Sequence, residues 1–138
     1  MTAPVLLDAS CVLAWLYDEP GAEVVEPVLT TSYITAVNMA EVIRKVDVMT
    51  GAGTACAVDL VEAGLTVVPF AWTHLTHISD LRMATHSKQR LSLGDACCIS
   101  YGMSQHMDIW TTDRQWADLD VAASITLIRP EDSFASRR

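Results

Sequence analysis

The feature that most constrains the fold is an alternation of short apolar or β-prone runs with longer segments of helical periodicity. The short runs cover residues 5–7, 32–35, 65–69, 108–111 and 125–128. Helical patterns cover residues 10–17, 22 to about 29, 38–50, 54–63, 72–88 and 95–106. Gly64 is typical of a C-terminal helix cap. Strands that alternate with helices predict an α/β fold, in which a mostly parallel sheet is covered by helices on both faces.

Length and composition predict a single domain. The chain has 138 residues, of which 51% are hydrophobic, and we assign residues 1–129 to one domain and 130–138 to a surface tail. No apolar run reaches the roughly 18 residues of a membrane span, and no basic region precedes the first apolar stretch. We therefore expect a soluble, cytoplasmic protein. The four cysteines form no CxxC pair, which favours reduced thiols that act as small hydrophobes.

Four acidic residues have apolar neighbours, where a surface carboxylate usually has polar ones: Asp8, Glu41, Asp95 and Asp113. Asp8 and Asp113 follow predicted strands, and ligands of parallel sheets bind beyond the carboxyl ends of the strands. If the four carboxylates converge, a shared proton or a bound cation must relieve their repulsion. Ligands that are all oxygen suit Mg²⁺ or Mn²⁺ rather than zinc. The pattern therefore predicts a divalent-metal site.

Each acid also has a simpler interpretation. Asp8, Asp95 and Asp113 stand where helices begin, and an aspartate there can accept backbone N–H bonds as a cap. A serine or threonine lies close to each of them and competes for the same role. Glu41 lies in the second turn of its predicted helix and has no capping role. The alternative for Glu41 is a solvated pair with Lys45, one turn further along the same face.

Other catalytic motifs are absent from the sequence, which has no G-x-S-x-G, Walker A or G-x-G-x-x-G segment. His74 and His77, three residues apart on a predicted helix, are a weaker candidate for metal chelation because no third ligand is near them in the sequence. A haloacid-dehalogenase-type phosphatase also uses a strand-end aspartate, followed two residues later by a second one. Ser10 occupies that position here, which disfavours this alternative.

The charge distribution bears on the substrate. A net charge of −8 disfavours general nucleic-acid binding, because phosphate binding depends on Lys and Arg. Five basic residues nevertheless lie close in sequence to the four acids: Arg44, Lys45, Lys88, Arg90 and Arg114. An acidic protein with a locally basic rim can still hold a phosphodiester.

The four acids stand in four short motifs: Asp8-Ala9-Ser10, Asn38-Met39-Ala40-Glu41-Val42, Leu91-Ser92-Leu93-Gly94-Asp95-Ala96 and Thr111-Thr112-Asp113-Arg114-Gln115-Trp116. In this order they resemble the signatures of PIN-domain nucleases, and most nearly those of the VapC-type toxins of type II toxin–antitoxin pairs. The resemblance runs from Asp8 to about Trp116. It implies a three-layer α/β/α sandwich and a Mg²⁺- or Mn²⁺-dependent endoribonuclease.

The resemblance also implies roles for individual residues. Asp8, Asp95 and Asp113 would hold the metal most directly, and Glu41 would orient or activate water. Gln115 stands where some relatives carry a further acid, which leaves the number of metal ions open. Four residues would be polar supports: Ser10, Asn38, Thr111 and Thr112. The five basic residues named above would be candidates for contacts with RNA phosphates.

Partners follow from the same resemblance. It implies a homodimer and a small antitoxin protein that blocks the active site. The apolar first third of the chain offers a surface for either partner, or else forms core: Val12, Leu13, Trp15, Leu16, Tyr17, Val24, Val25, Val28 and Leu29. A non-catalytic member of the same fold, binding RNA or a partner, is the alternative function.

Overall fold

One five-stranded sheet organises the computed structural model, which describes residues 3–85, 88 and 90–129. The strands are β1 Val5–Leu7, β2 Tyr33–Thr35, β3 Thr66–Val68, β4 Asp108–Thr111 and β5 Ile125–Leu127. Their order is β3-β2-β1-β4-β5, and every pairing is parallel. The predicted parallel sheet is confirmed. The tail assigned to residues 130–138 lies outside the described residues and stays a prediction.

The described residues form five α-helices: α1 Ala9–Leu16, α2 Ala22–Val25, α3 Ala36–Thr50, α4 Gly53–Ala63 and α5 Leu93–Gln105. The helix predicted to reach about residue 29 is shorter than expected, because α2 gives way to a 3₁₀ turn at Leu29–Thr31. Gly64 follows α4 with a φ of 128°, a conformation that favours glycine, and ends the helix as predicted. The other helical boundaries lie within two residues of the predicted ones, except in the segment 72–88.

Neighbouring side chains of β1 point to opposite faces of the sheet, as in any strand. Leu7 is fully buried in a core with Val12 of α1 and Val42 of α3. Leu6 is fully buried in a second core with Ile99 of α5 and Ile109 of β4. Helices therefore cover both faces, and the predicted three-layer α/β/α sandwich is confirmed.

The long helix predicted for residues 72–88 is wrong. The chain instead forms two 3₁₀ turns, Trp72–Leu75 and Ile78–Asp80, and then runs in extended form to an isolated bridge between Met83 and Leu119. Ser100 of α5 explains the interruption. Its hydroxyl donates to the carbonyl of His74 (2.6 Å) and accepts the N–H of His77 (3.2 Å). A tertiary contact thus takes backbone groups that a continuous helix would have paired.

The histidines and cysteines have structural surroundings. His74 accepts the N–H of Ala71 at Nδ1 (2.8 Å), and its ring packs edge-on against Tyr101. All four cysteines are free thiols, and three of them are buried. No helix in the described part of the chain is long and apolar enough to cross a bilayer.

Candidate active site

All four acids line one cavity of about 540 Å³ at the carboxyl edge of the sheet. Asp8 directly follows β1, and Asp113 lies two residues beyond the end of β4. Glu41 comes from α3 and Asp95 from the first turn of α5. Parallel strands place their carboxyl ends at the same edge, which is why residues this distant in sequence meet. We call this space the acidic cavity.

Asp8 is the most buried of these acids, with 4% of its surface exposed. Its Oδ2 accepts hydrogen bonds from Ser10 Oγ (2.8 Å) and Thr111 Oγ1 (3.0 Å). It makes no capping bond to α1, so the cap interpretation is wrong for Asp8. Burial raises its pKa from 3.8 to about 6, with Asp95 and Glu41 adding to the rise and the two hydroxyls opposing it.

Backbone donors orient both hydroxyls. Ser10 Oγ accepts the N–H of Thr112 (3.0 Å), and Thr111 Oγ1 accepts the N–H of Asp113 (3.1 Å). Each hydroxyl therefore directs its own proton toward Asp8. The polar supports expected at Ser10 and Thr111 lie at the site, whereas Thr112 contributes its backbone N–H and lines the cavity.

Asp95 and Asp113 differ in their local roles. Ser92 caps α5 by accepting the N–H of Asp95 (3.1 Å), so Asp95 is not the cap. Asp113 does act as a cap, accepting the N–H of Gln115 (2.9 Å) at the start of a 3₁₀ turn. Burial raises the pKa of Asp95, and the Ser92 hydroxyl partly offsets the rise. Only Asp113 thus combines the capping role with a place at the cavity.

Trp116 lies behind Asp95 and is 1% exposed. Its indole nitrogen is the one buried side-chain polar atom of the described residues without a hydrogen-bond partner. The indole is near enough to Asp95 to favour the charged carboxylate and lower its pKa, although the geometry falls short of a hydrogen bond. A buried N–H without a partner thus lies close to one of the four acids.

Glu41 is held by a buried amide. Asn38 is fully buried, and its Nδ2 donates to Glu41 Oε1 (2.7 Å) and to the carbonyl of Gly94 (3.2 Å). Thr35, the cap of α3, donates its hydroxyl to Asn38 Oδ1 and fixes the orientation of the amide. The structure therefore pairs Glu41 with Asn38 and aims it at the cavity, and does not leave it as a solvated helix-surface residue.

Gly94 has a role that the sequence did not reveal. A Cβ at this position would lie 2.5 Å from Glu41 Oε2. The bare backbone of α5 therefore lets the Glu41 carboxylate approach, while the Gly94 carbonyl binds Asn38. The only signal in the sequence is a glycine immediately before Asp95, and a glycine near the start of a helix does not by itself indicate a close contact.

Three cations line the acidic cavity: Lys45, Arg114 and Arg129. Arg129 was not predicted. Its Nε donates to the carbonyl of Pro20 and its Nη2 to Glu19, both at 2.8 Å, which fixes the last described residue against the turn before α2. The other three predicted phosphate contacts, Arg44, Lys88 and Arg90, are exposed and do not line this cavity.

The four carboxylates line the same cavity, and two of them, Asp95 and Glu41, are near enough to Asp8 to raise its pKa. No three His, Cys, Asp or Glu side chains of the described residues form a metal-binding group, and burial raises the pKa of Asp8 more than its acidic neighbours do. The residues still fit Mg²⁺ or Mn²⁺, because Mg²⁺ keeps several waters and takes one or two carboxylates directly. Asp8 also presents a buried carboxyl whose charged form needs a counter-ion.

Fold and sequence together define the class. The profile of the PIN domain matches residues 5–122, and the chain belongs to the PIN-domain family. The Asp8, Glu41, Asp95 and Asp113 motifs all fall within the matched range. No curated protein sequence gives a significant match.

Solved structures share the fold at low sequence identity. DNA-bound VapBC from Salmonella typhimurium has a TM-score of 0.69 and 12% identity, covering 92% of this chain and 99% of that one. VapC20 from Mycobacterium tuberculosis, a toxin that cleaves the Sarcin-Ricin loop, has a TM-score of 0.63 and 13% identity, covering 82% and 92%. VapBC-1 from nontypeable Haemophilus influenzae has a TM-score of 0.63 and 14% identity, covering 91% and 98%. The resemblance to the VapC-type fold is confirmed.

Proposed function

We propose that this PIN domain is a Mg²⁺- or Mn²⁺-dependent endoribonuclease and the toxin of a toxin–antitoxin pair. One observation carries the proposal. Four carboxylates from four separate elements line a single cavity at the carboxyl edge of the sheet, and one of them, Asp8, is buried with a pKa raised to about 6. A chain gains no stability from burying a carboxylate among other acids, so this arrangement favours a bound cation.

In this proposal some of the residues would bind the cation, and Glu41 would accept a proton from water. Asp8, Asp95 and Asp113 would hold the cation, with Ser10 and Thr111 fixing the rotamer of Asp8. Glu41, oriented by Asn38, would accept a proton from the attacking water. When bound, the cation would lower the pKa of water and stabilise negative charge on the phosphoryl oxygens.

The cations at the rim would bind the substrate. Lys45, Arg114 and Arg129 would attract the phosphates of an RNA strand toward an otherwise acidic surface. RNA as substrate is supported by the description of the M. tuberculosis neighbour as a toxin that cleaves the Sarcin-Ricin loop. Lys88 and Arg90, which are exposed away from the cavity lining, would contact more distant parts of the strand.

The antitoxin proposal is supported by the VapBC complexes among the structural neighbours and by an apolar groove. Helices α1, α3 and α4 leave a groove of about 450 Å³, lined by Trp15, Leu16, Val46, Cys56 and Leu60 among others. This groove suits the apolar face of an amphipathic helix. The homodimer and the cytoplasmic location stay predictions. Small-angle scattering would test the dimer.

The function is tested by matched substitutions. We expect Asp8→Asn and Asp95→Asn to lose RNA cleavage by about 100-fold or more, because each removes a charge that holds the cation. Asp108→Asn is the control, since Asp108 lies at the opposite edge of the sheet. Cleavage of total tRNA and mRNA with Mg²⁺ would be measured, and circular dichroism would check folding. Full activity in both folded cavity variants would reject the proposal in favour of a non-catalytic RNA- or partner-binding module.

A further inference from the structure

A second cavity, of about 500 Å³, opens beside the acidic cavity. We call it the side cavity. The two cavities adjoin, because five residues line both of them: Ser10, Leu13, Lys45, Thr112 and Arg129. A molecule bound at the carboxylates would therefore lie directly beside the side cavity.

Helices α1 and α3 form the two sides of this path. On α3, Glu41, Lys45 and Met49 are spaced by four residues and lie on one face. Glu41 lines only the acidic cavity, Lys45 lines both, and Met49 lines only the side cavity. At 1.5 Å per residue, Met49 lies about 12 Å along the helix axis from Glu41. On the facing side Tyr17, just after α1, occupies the same far end.

The chemistry of the lining changes along the path. Carboxylates at one end are followed by Lys45 and Arg129, and then by the ring of Tyr17 and the thioether of Met49, which are 39% and 68% exposed. The one acid of the side cavity, Glu19, is paired with Arg129 at 2.8 Å. Carboxylates, then basic side chains, and then the apolar surfaces of Tyr17 and Met49 thus follow one another along the two adjoining cavities.

A nucleotide carries its groups in the matching order, with a phosphate joined through a ribose to a flat base. Aromatic side chains stack on bases of any sequence, and thioethers pack well against aromatic rings. A base can enter such a cavity only when it is unpaired and turned out of a helix. The lining therefore favours a single-stranded segment over a duplex.

We propose that the side cavity is a nucleotide subsite. It receives the unpaired base next to the phosphodiester at the acidic cavity, with Tyr17 and Met49 against the base and Lys45 and Arg129 near the phosphate. This inference rests on the proposed function, since it takes the cleaved bond to lie at the four carboxylates. It adds a specificity-determining role for Tyr17 and Met49, which would select the base beside the cleaved bond.

The experiment compares protein variants with substrates that lack one base. Wild type, Tyr17→Ala and Met49→Ala would cleave an oligoribonucleotide of known cut site, and the same strand with an abasic ribose on one side or the other of that bond. Trp72→Ala is the aromatic control, because Trp72 is 85% exposed and lies outside both cavities, and Val58→Ala is the aliphatic control. KM and kcat would be measured separately.

We expect one of the two abasic strands to raise the KM of the wild type about tenfold, as the loss of one stacked base would. Tyr17→Ala should raise the KM of the intact strand by a similar factor and become insensitive to the missing base. Met49→Ala should do the same more weakly. Both should keep a kcat near that of the wild type, and both controls should behave as the wild type does.

The outcomes separate the subsite from the function. If the wild type cleaves RNA but Tyr17→Ala and Met49→Ala keep its KM and its response to abasic strands, the subsite is overturned and the nuclease stands. The side cavity would then be left to another occupant, such as a protein segment. If the wild type cleaves no RNA, the proposed function fails. The subsite is then tested by fluorescence anisotropy with the labelled strands. Equal binding by wild type and Tyr17→Ala would overturn the subsite. Weaker binding by Tyr17→Ala, with both controls unchanged, would support it.

Discussion

Two aspartates at opposite edges of the same sheet have very different surroundings. Asp108 begins β4, and its carboxylate accepts hydrogen bonds from Trp110 Nε1 (2.9 Å), Ser124 Oγ (3.0 Å) and Thr126 Oγ1 (3.0 and 3.1 Å). Asp8 follows β1 and accepts two hydroxyls, both at Oδ2, while it lies within reach of two other acids. Donors surround the first carboxylate on both oxygens, whereas the second faces a cavity.

The difference is the one expected between a structural carboxylate and a carboxylate in a binding or catalytic site. At Asp108 the donors are Trp110 of β4 itself, Ser124 just before β5 and Thr126 of β5, so the carboxylate links two neighbouring strands. At Asp8 burial makes the charge unfavourable, and the protein supplies too few donors to compensate. A buried group held in an unfavourable state by its own fold is typical of a binding or catalytic site. The same substitution should therefore have opposite effects at the two edges.

The largest expected effect is on the stability of Asp8→Asn. The pKa of Asp8 is 3.8 in its ordinary state and about 6 in the folded chain. The fold therefore favours the protonated carboxyl, and below about pH 4 this preference costs nothing. As the pH rises through about 6 the carboxyl must ionise in its buried position, and the folded state loses stability. With metal chelated, Asp8→Asn should therefore be more stable than the wild type by up to about 3 kcal/mol near pH 8, and about equally stable near pH 4. Urea unfolding at the two pH values measures the difference.

That prediction has a clear contrary result. If Asp8→Asn were less stable than the wild type near pH 8, the carboxylate would be stabilising the fold as Asp108 does, and the contrast between the two edges would disappear. The amide oxygen of the asparagine can still accept hydrogen bonds from the hydroxyls of Ser10 and Thr111. The measurement therefore reports the change in charge and not the loss of these bonds.

The next effect is on activity and concerns the approach of α5 to Glu41. Gly94→Ala would place a methyl group 2.5 Å from Glu41 Oε2, which displaces a flexible side chain and leaves the core intact. We expect the rate of RNA cleavage to fall about 100-fold, because moving a catalytic group by about 1 Å lowers a rate by this factor. This corresponds to a loss of about 2.7 kcal/mol of transition-state stabilisation. The stability of helix α5 itself should increase slightly, because alanine has a higher helix propensity than glycine. Unchanged cleavage would remove Glu41 from the mechanism.

The smallest effect is expected at the other edge. Asp108→Asn replaces an oxygen that accepts hydrogen bonds with an NH₂ group, which leaves at least one of its donors unpaired. Because the site is partly open to water, we expect a loss of about 1 kcal/mol in the free energy of unfolding. RNA cleavage should be unchanged. A large loss of activity in a folded Asp108→Asn variant would contradict the assignment of function to one edge only.

The sequence predicted the strands well, and the four acids that it singled out line one cavity, because strands and strand-end residues depend on local pattern. A short apolar run that ends in Asp8 or Asp113 identifies a strand and its carboxyl end at once. The layers follow from the alternation of strands and helices. The cap interpretation was right for Asp113 and wrong for Asp8 and Asp95, since only the structure shows whether a carboxylate accepts from the helix or from elsewhere.

What the sequence missed depends on contacts between distant segments. Ser100 interrupts the helix expected for residues 72–88 from a different element of the chain. Gly94 admits Glu41 across a helix–helix contact, and Arg129 reaches the cavity from the end of the sheet.

The central claim is that the Asp8 edge, and not the Asp108 edge, holds a divalent cation. The most direct test is the free energy of unfolding near pH 8 of wild type, Asp8→Asn and Asp108→Asn, with and without Mg²⁺. At a concentration about 100 times the dissociation constant, Mg²⁺ should stabilise wild type and Asp108→Asn by about 2.7 kcal/mol and Asp8→Asn by much less. The claim would be contradicted if Mg²⁺ stabilised all three proteins equally, or if it did not stabilise the wild type.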